Sequence, residues 1–235
     1  MSSHSPPAPP RRADRARRRT VIKPAVDAAA PGKRERILDA AVKVFAAQGF
    51  YNAKVSQIAA AAGVADGTNL YFKSKDELLI SLFEDRMDRV LATLREALDP
   101  GTVGAPTNAV SRLRRVIELH LELIEKNPEM GEVITVELRQ SAKFIREYDN
   151  PKFAEFLRLI AGAIADGQQC GELRSDVDPQ LTARAMFGAL DEIALAWIVR
   201  APRDRGELKR TAQQLGTLFL DGLRAPRLQG GSQSK

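Results

Sequence analysis

Polar side chains of the kinds that bind nucleic-acid phosphates are concentrated in the stretch AGVADGTNLYFKSKDELL, residues 62–79. Thr68 and Tyr71 carry hydroxyl donors, and Lys73 and Lys75 carry positive charge. Phosphate oxygens accept hydrogen bonds from side chains of these types, and small residues beside them permit a close approach. The stretch therefore indicates a nucleic-acid contact, with an ordinary solvated turn as the alternative.

The side chains that catalysis and metal binding require are scarce. The chain has two histidines, His4 and His120, and one cysteine, Cys170, so a site built from His and Cys ligands is not expected. The sequence shows no glycine-rich phosphate loop, no paired carboxylates and no Ser-His-Asp or Cys-His arrangement. We therefore expect a protein that is not an enzyme and has no cofactor. A single cysteine cannot form an internal disulfide, which suits a reducing cytoplasm.

The basic charge of the chain is concentrated at its amino terminus. The net charge is +6, and residues 1–36 hold ten Lys or Arg against three Asp or Glu, which leaves the remainder close to neutral. Residues 1–32 are rich in Pro, Ala and Arg and are predicted to be a disordered tail that lacks the apolar stretch of a secretory signal. The tail either binds DNA phosphates without sequence preference or serves as a solubilising arm.

The rest of the chain has the composition and periodicity of an all-α protein. Aromatic residues make up 6%, and alternation of β-branched residues is scarce. Three short helices are predicted between Lys33 and Phe72, and Gly49 and Gly63 end the first two. Two short helices joined by a glycine turn and packed on a third form a helix-turn-helix candidate, although a purely structural three-helix cap has the same periodicity.

Long helices follow, separated by short breaks that contain Gly, Pro or Asn. Ser74 is the predicted N-cap of a helix over 74–99, and Asp178 and Pro179 open a later helix. Residues 128–148 are predicted to form one continuous helix. No apolar run is long enough to cross a bilayer, so no membrane partner is expected. The predicted divisions are a disordered tail (1–32), a helix-turn-helix head (33–78), a body that forms a larger helical bundle (79–225) and a disordered end (226–235).

The head carries a recognisable series of short motifs. ILDAA is followed by a phenylalanine and GF, then by VSQIAAAAGV, GT and YFKSK, within residues 33–79. This series closely resembles the N-terminal domain of the TetR family of transcriptional regulators. The resemblance implies a homodimer whose paired third helices enter successive major grooves of a palindromic operator, about one helical turn apart. It also implies a larger C-terminal domain that binds an effector.

The head departs from the family pattern at one point. In the family, Gly-Thr is usually followed by an apolar residue, Tyr, any residue, Tyr and Phe. Here Gly67 and Thr68 are followed by Asn69, Leu70 and then Tyr71-Phe72, which is one residue fewer. The chain thus lacks a side chain that typically touches the DNA backbone, and the following residues are rotated by about 100° if the helix is continuous. We expect the fold to survive this change and the DNA affinity to be the quantity affected.

The resemblance and the side-chain chemistry together give a set of predicted DNA contacts. Residues at the start of the recognition helix should approach the bases, and Asp66 must face a donor such as cytosine N4 or point away from the DNA. The later hydroxyl and ammonium groups should face phosphates. The predicted contacts are Lys33, Arg34, Ala65, Asp66, Gly67, Thr68, Tyr71, Lys73 and Lys75.

The body also carries motifs that indicate its ligand. GVADGT and LYFKSKDELLISLFEDRM, VELRQS at 136–141 and FGALDEIALAWIV at 187–199 together resemble the fatty-acid-degradation regulators of the same family. This resemblance implies a repressor that leaves DNA when it binds a long-chain acyl-CoA. A long acyl chain requires an apolar tunnel, because each buried methylene contributes about 0.8 kcal/mol.

Candidate effector contacts follow from these motifs. Arg139, in ELRQS, is the predicted partner of the CoA phosphates, because a guanidinium suits phosphate. His120 is predicted to be a hydrogen-bonded interior residue and not a ligand contact. For each apolar candidate, membership of the ordinary bundle core is the alternative. The predicted effector contacts are Arg139, Leu119, Leu123, Ile134, Phe144, Phe156, Phe187 and Trp197.

The sequence thus predicts a homodimeric, cytoplasmic repressor of fatty-acid-degradation genes, released from its operator by long-chain acyl-CoA. Small residues near Gly188 should let the last two helices pack in a four-helix dimer interface, and the helix over 74–99 is the expected lever between head and body. One alternative is a regulator of another apolar ligand, as in efflux control. The other is an acyl-CoA-binding protein whose shortened recognition helix no longer binds DNA.

Overall fold

A computed structural model describes residues 31–64, 71–99, 101–102, 106–200, 203–204 and 206–225. The predicted contacts Ala65, Asp66, Gly67 and Thr68 therefore lie outside the described residues, as does the position at which the chain is one residue short. The described part is α-helical, as predicted, and its β pairing is limited to an isolated bridge between Leu173 and Arg224. No helix within this part is long and apolar enough to span a membrane.

Nine α-helices and one 3-10 turn are described. The head contributes α1 (Pro31–Asn52) and α2 (Val55–Ala61), and α3 (Lys75–Leu98) leads into the body. The body continues with α4 (Ala109–Lys126), α5 (Pro128–Thr135), the 3-10 turn (Glu137–Gln140), α6 (Ala142–Glu147), α7 (Pro151–Gln169), α8 (Pro179–Ile198) and α9 (Glu207–Leu223).

Local capping signals explain several of the helix starts. The Ser74 side chain accepts a hydrogen bond from the Glu77 amide at 3.0 Å and opens α3. Asp178 accepts from the Leu181 amide at 2.6 Å, and Pro179 occupies the first turn of α8. Both predictions are confirmed. Helix α1 begins at Pro31, two residues before the predicted start of the head.

The prediction of one helix over 128–148 is wrong. The chain leaves helical geometry at Ser141, whose backbone is extended at φ −77° and ψ 110°. The Ser141 hydroxyl accepts a hydrogen bond from the Phe144 amide at 3.1 Å and caps a new helix, α6. Serine competes in this way with the helical backbone pattern, so the segment becomes α5, the 3-10 turn and α6 in succession.

A single hydrophobic core runs through the head and the body. Phe45 of α1 and Ile58 of α2 are fully buried, and the core continues through Leu78 and Leu91 of α3 to Leu121 of α4. Helix α1 packs on α2 and α3, and also on α5 and the 3-10 turn of the body. The head therefore rests on the body through two elements, the long helix α3 and the segment that includes α5 and the 3-10 turn.

Candidate functional site

The body encloses a cavity of about 890 Å³. Its walls come from α3, α4, α5, α7 and α8, and Val42 and Lys43 of α1 close one side. A volume of this size falls in the range of pockets that hold small organic ligands. Because α1 belongs to the head, a ligand in this cavity would touch both parts of the protein.

One region of the cavity wall is aromatic. Phe153 and Phe187 are in edge contact at 4.6 Å between ring centroids, and the His120 ring lies 6.0 Å from Phe187 and 6.5 Å from Phe156. Burial lowers the pKa of His120 from 6.5 to about 4, and the negative charge of Asp191 opposes part of this shift. The imidazole is thus neutral at pH 7, and this region suits an apolar chain.

The rim of the cavity is charged. The wall residues that are exposed to solvent mark where the cavity opens. All of these residues except Asn127 are charged. They are Asp39, Lys43, Arg89, Lys126, Asn127, Glu129 and Arg203. The rim also includes the wall residue Arg86, whose side chain is 16% exposed. Five cations against two carboxylates make the rim suitable for an anionic group attached to an apolar chain.

The predicted effector contacts divide into two groups. Five of them lie on the cavity wall: Leu119, Leu123, Ile134, Phe156 and Phe187. Phe144 and Trp197 are buried residues that are not on the wall. These two side chains therefore lie in the ordinary bundle core, which was the alternative for each apolar candidate. His120, which we expected to be an interior residue away from the ligand, is on the wall.

Arg139 also lies away from the wall. It follows α5 in the 3-10 turn, donates to the Thr135 carbonyl at 2.7 Å and forms an ion pair with Asp191. Its side chain therefore has partners within the protein and ties the turn to α8. The expectation that Arg139 binds the CoA phosphates receives no support from this position.

Sequence reasoning missed the cations of the rim, above all Arg86 and Arg89 of α3. A stripe of Phe83, Met87 and Val90 on the same helix faces the cavity and has the spacing of a buried helical face. The arginines lie beside this stripe, where an amphipathic helix normally presents charges to solvent. The stripe was a signal for the wall, but it could not distinguish rim arginines from ordinary surface arginines.

The predicted DNA contacts within the described part of the head differ in solvent exposure and in their partners within the protein. Lys33 and Lys73 are exposed. Arg34 is exposed and forms an ion pair with Asp85 at 3.6 Å. Tyr71 is half-buried and packs against the core. These side chains remain candidates for phosphate contact.

Lys75 has a structural role that its sequence context did not indicate. Its ammonium group donates to the Tyr51 carbonyl at 2.9 Å and the Ala53 carbonyl at 3.2 Å, and it lies 4.7 Å from the centre of the Phe50 ring. These carbonyls belong to the end of α1 and the residues after it. Lys75 thus joins the start of α3 to the end of α1, and its charge is engaged within the head.

The 3-10 turn connects the body to the head. The buried Glu137 carboxylate accepts a hydrogen bond from the Phe50 amide, and the Tyr51 hydroxyl donates to the Gln140 carbonyl at 2.8 Å. Gly49 adopts a positive φ of 77° just before Phe50, so the chain bends toward the carboxylate at this point. Because α5 forms part of the cavity wall and leads directly into this turn, the turn connects the wall to the head.

The outer surface of α8 and α9 carries three large, exposed hydrophobic residues among polar ones. They are Leu181 of α8, Val199 immediately after α8 and Leu218 of α9. Ala185 and Gly188 are exposed on α8 between the first two, and their small side chains would permit close packing of another helix.

Comparisons with known proteins agree with this architecture. Residues 37–82 match the family model of bacterial regulatory proteins of the tetR family, and residues 83–222 match that of the YsiA-like protein C-terminal region. The fatty acid metabolism regulator protein of Bacillus subtilis is 35% identical over 165 residues, covering 70% of this chain and 82% of the relative. The transcriptional repressor KstR2 of Rhodococcus jostii is 27% identical over 200 residues, covering 83% and 93%.

Two solved structures are similar over their whole length. The fatty acid degradation regulator FadR from Bacillus halodurans superposes with a TM-score of 0.75 at 32% identity, covering 85% of this chain and 100% of that one. FadR from Bacillus subtilis in complex with stearoyl-CoA has a TM-score of 0.73 at 32% identity, covering 82% and 100%. The motifs of the head, the helical body and these matches lead to one conclusion: the chain belongs to the TetR family of bacterial regulatory proteins.

Proposed function

We propose that this protein is a cytoplasmic, homodimeric repressor of fatty-acid-degradation genes that leaves its operator when a long-chain acyl-CoA enters the cavity. One observation carries the proposal: a cavity with an aromatic, apolar interior and a cationic rim opens beside α1 of the head. An acyl-CoA has the matching chemistry, since its chain is apolar and its CoA group carries several phosphates. The likeness to a regulator bound to stearoyl-CoA supports the same ligand class.

The two parts of the chain are proposed to have different functions. Residues 33–78 bind the operator, and residues 79–225 bind the effector and form the dimer. Repression is relieved if acyl-CoA binds the DNA-incompetent arrangement of the heads more tightly than the competent one. A coupling free energy of about 1–3 kcal/mol is usual for such a switch. Helix α3 transmits the change, because it forms cavity wall and also begins at the head.

We propose that the dimer forms through the surface of α8 and α9 that carries these exposed hydrophobic residues. Two copies would bring Leu181, Val199 and Leu218 of each chain into a four-helix contact. A symmetric interface of this kind places two heads on two half-sites of a palindromic operator.

Calorimetric titration of the full chain tests the effector class. Stearoyl-CoA should bind with a dissociation constant well below the micromolar range. CoA without an acyl chain and a neutral hydrophobe of similar length should bind far more weakly. If the neutral hydrophobe binds as tightly as stearoyl-CoA, the protein senses apolar compounds in general and the proposed ligand class is incorrect.

A further inference from the structure

Two arginines of the cavity rim also hold the head to the body. Arg86 and Arg89 are wall residues on α3. Arg86 donates to the Asp39 carboxylate of α1, and Arg89 donates to the Glu35 carboxylate of α1 at 2.8 Å. The hydrogen bond to Glu35 is the main cause of a raised pKa of Arg89. The same cations therefore face the cavity opening and the acidic side of the first helix of the head.

These ion pairs are of a kind that another anion can displace. The Arg89 and Glu35 side chains are 54% and 57% exposed, and Asp39 is 55% exposed. Exposed ion pairs contribute little to stability because water screens them and both side chains lose freedom. An anion with a higher charge than a carboxylate, held next to the arginines by a buried chain, would compete effectively.

Arg86 is also incompletely bonded. Its side chain is only 16% exposed, and its Nε is buried without a hydrogen-bond acceptor among the described residues. Asp85 Oδ2 lies 3.9 Å from this Nε and 3.4 Å from Arg89 Nη2, and it is buried without a hydrogen bond from either arginine. A buried donor without a partner is costly, so an additional acceptor beside Arg86 would be favoured.

Phosphate meets this requirement better than the carboxylates of α1. A guanidinium donates two parallel hydrogen bonds to phosphate oxygens, and such charge-assisted bonds are stronger than bonds between neutral groups. An acyl chain that fills the apolar wall brings the phosphates of its CoA group to the rim, where the other cations, Lys43, Lys126 and Arg203, add to the positive field.

We propose that Arg86 and Arg89 bind the phosphate groups of the acyl-CoA effector and, in doing so, release Asp39 and Glu35 of α1. This inference rests on the proposed function and names the exchange that relieves repression. After the exchange, the two carboxylates lie next to phosphate with their cations taken, and like charges at short range repel. Helix α1 then loses its hold on α3, and the head moves away from the arrangement that fits the operator.

The test compares two ligands on wild type and on the double variant Arg86→Gln/Arg89→Gln in the full chain. Stearoyl-CoA binding should weaken roughly tenfold or more in the variant, because charge-assisted contacts are lost. Octadecanol has a chain of the same length without phosphates or any other anionic group, and its affinity should change by less than about threefold. Arg115→Gln is the matched control, since Arg115 forms exposed ion pairs with Glu118 and Glu122 of its own helix and is not a wall residue.

A second variant tests the release step. Glu35→Gln/Asp39→Asn removes the two carboxylates of α1 that compete for the arginines and leaves Asp85 in place. Stearoyl-CoA should then bind more tightly and the operator less tightly than in wild type. If the arginine double variant does not fold, Arg89→Gln alone provides the first comparison, because this side chain is half exposed.

The outcomes separate this inference from the proposed function. If wild type binds stearoyl-CoA and releases the operator but the arginine variant binds stearoyl-CoA equally well, the phosphate exchange is wrong and the function stands. Equal weakening of octadecanol and stearoyl-CoA also overturns the exchange, since the arginines would then shape the cavity without binding phosphate. If wild type does not bind stearoyl-CoA, both ideas are wrong.

Discussion

The Ser141 hydroxyl donates to the Asp76 carboxylate at 2.6 Å and so joins the segment after the 3-10 turn to the first turn of α3. The same oxygen accepts from the Phe144 amide at 3.1 Å. Ser141 is fully buried. One side chain therefore caps α6 and also fixes the body to the base of the long helix that leads out of the head.

Replacing Ser141 with Ala should lower the free energy of unfolding by about 1–3 kcal/mol, because a cap and a buried hydrogen bond are lost together. Urea denaturation at fixed protein concentration measures the change. Ser175→Ala, at an exposed position, is the control and should be neutral. An unchanged midpoint for Ser141→Ala would show that the contact contributes nothing to holding the two parts together.

Lys75 and Lys73 should behave differently although the sequence places both in the same turn. Lys75→Met removes two hydrogen bonds to backbone carbonyls and should cost about 1–2 kcal/mol of stability. Lys73→Met should leave stability unchanged and weaken operator binding, with a shallower dependence on salt. Thermal unfolding and binding at two salt concentrations distinguish the variants. The same stability for both would contradict the structural role of Lys75.

Filling the cavity should separate ligand response from DNA binding. Leu119 lies on the wall and is only partly buried by protein, so Leu119→Trp places an indole in the space that the acyl chain needs. We expect operator binding close to that of wild type and a loss of stearoyl-CoA affinity of roughly tenfold or more. Ile145→Trp, at an exposed position on α6, should retain both activities. Retained release by stearoyl-CoA in Leu119→Trp would place the effector elsewhere.

His120 should make stability depend on pH on the acid side. Its folded-state pKa of about 4 is lower than the 6.5 of the unfolded chain, so between these values the unfolded state binds a proton that the folded state does not. Stability from this residue is therefore constant above pH 6.5 and falls as pH drops toward 4, by at most roughly 3 kcal/mol. His120→Leu should be more acid-stable relative to wild type, which urea denaturation at about pH 7.5 and about pH 5 would measure. Parallel losses in both proteins would contradict the assignment.

Leu218 should support the dimer. Its side chain is 71% exposed in the single chain, and a glutamate there would place like charges near the symmetry axis of a four-helix interface. Leu218→Glu should shift the protein toward monomer in analytical ultracentrifugation and weaken operator binding. Ile145→Glu, on another exposed apolar residue, should remain dimeric. A dimer of unchanged affinity for Leu218→Glu would place the interface on a different face.

The features that follow from local sequence were predictable. The caps at Ser74 and Asp178 depend on residues within three positions, and some apolar residues chosen from the helical periodicity, such as Leu119 and Phe187, lie on the cavity wall. The break at Ser141 was not predictable, because the turn before it is held by contacts far along the chain, as between Glu137 and Phe50. The same reason explains Arg139, whose partner Asp191 lies on α8, and the rim arginines, whose partners are on α1.

The central claim is that the protein binds DNA sequence-specifically and that acyl-CoA controls this binding. Fluorescence polarisation of a labelled operator measures the binding most directly. A labelled palindromic sequence from the flank of its own gene or of a fatty-acid-degradation gene is titrated with the full chain, with and without stearoyl-CoA, at fixed salt. We predict tight, sequence-specific binding that stearoyl-CoA weakens by roughly 5- to 150-fold. Specific binding that stearoyl-CoA does not alter would contradict control by this effector. An absence of specific binding would contradict the claim that the protein binds an operator.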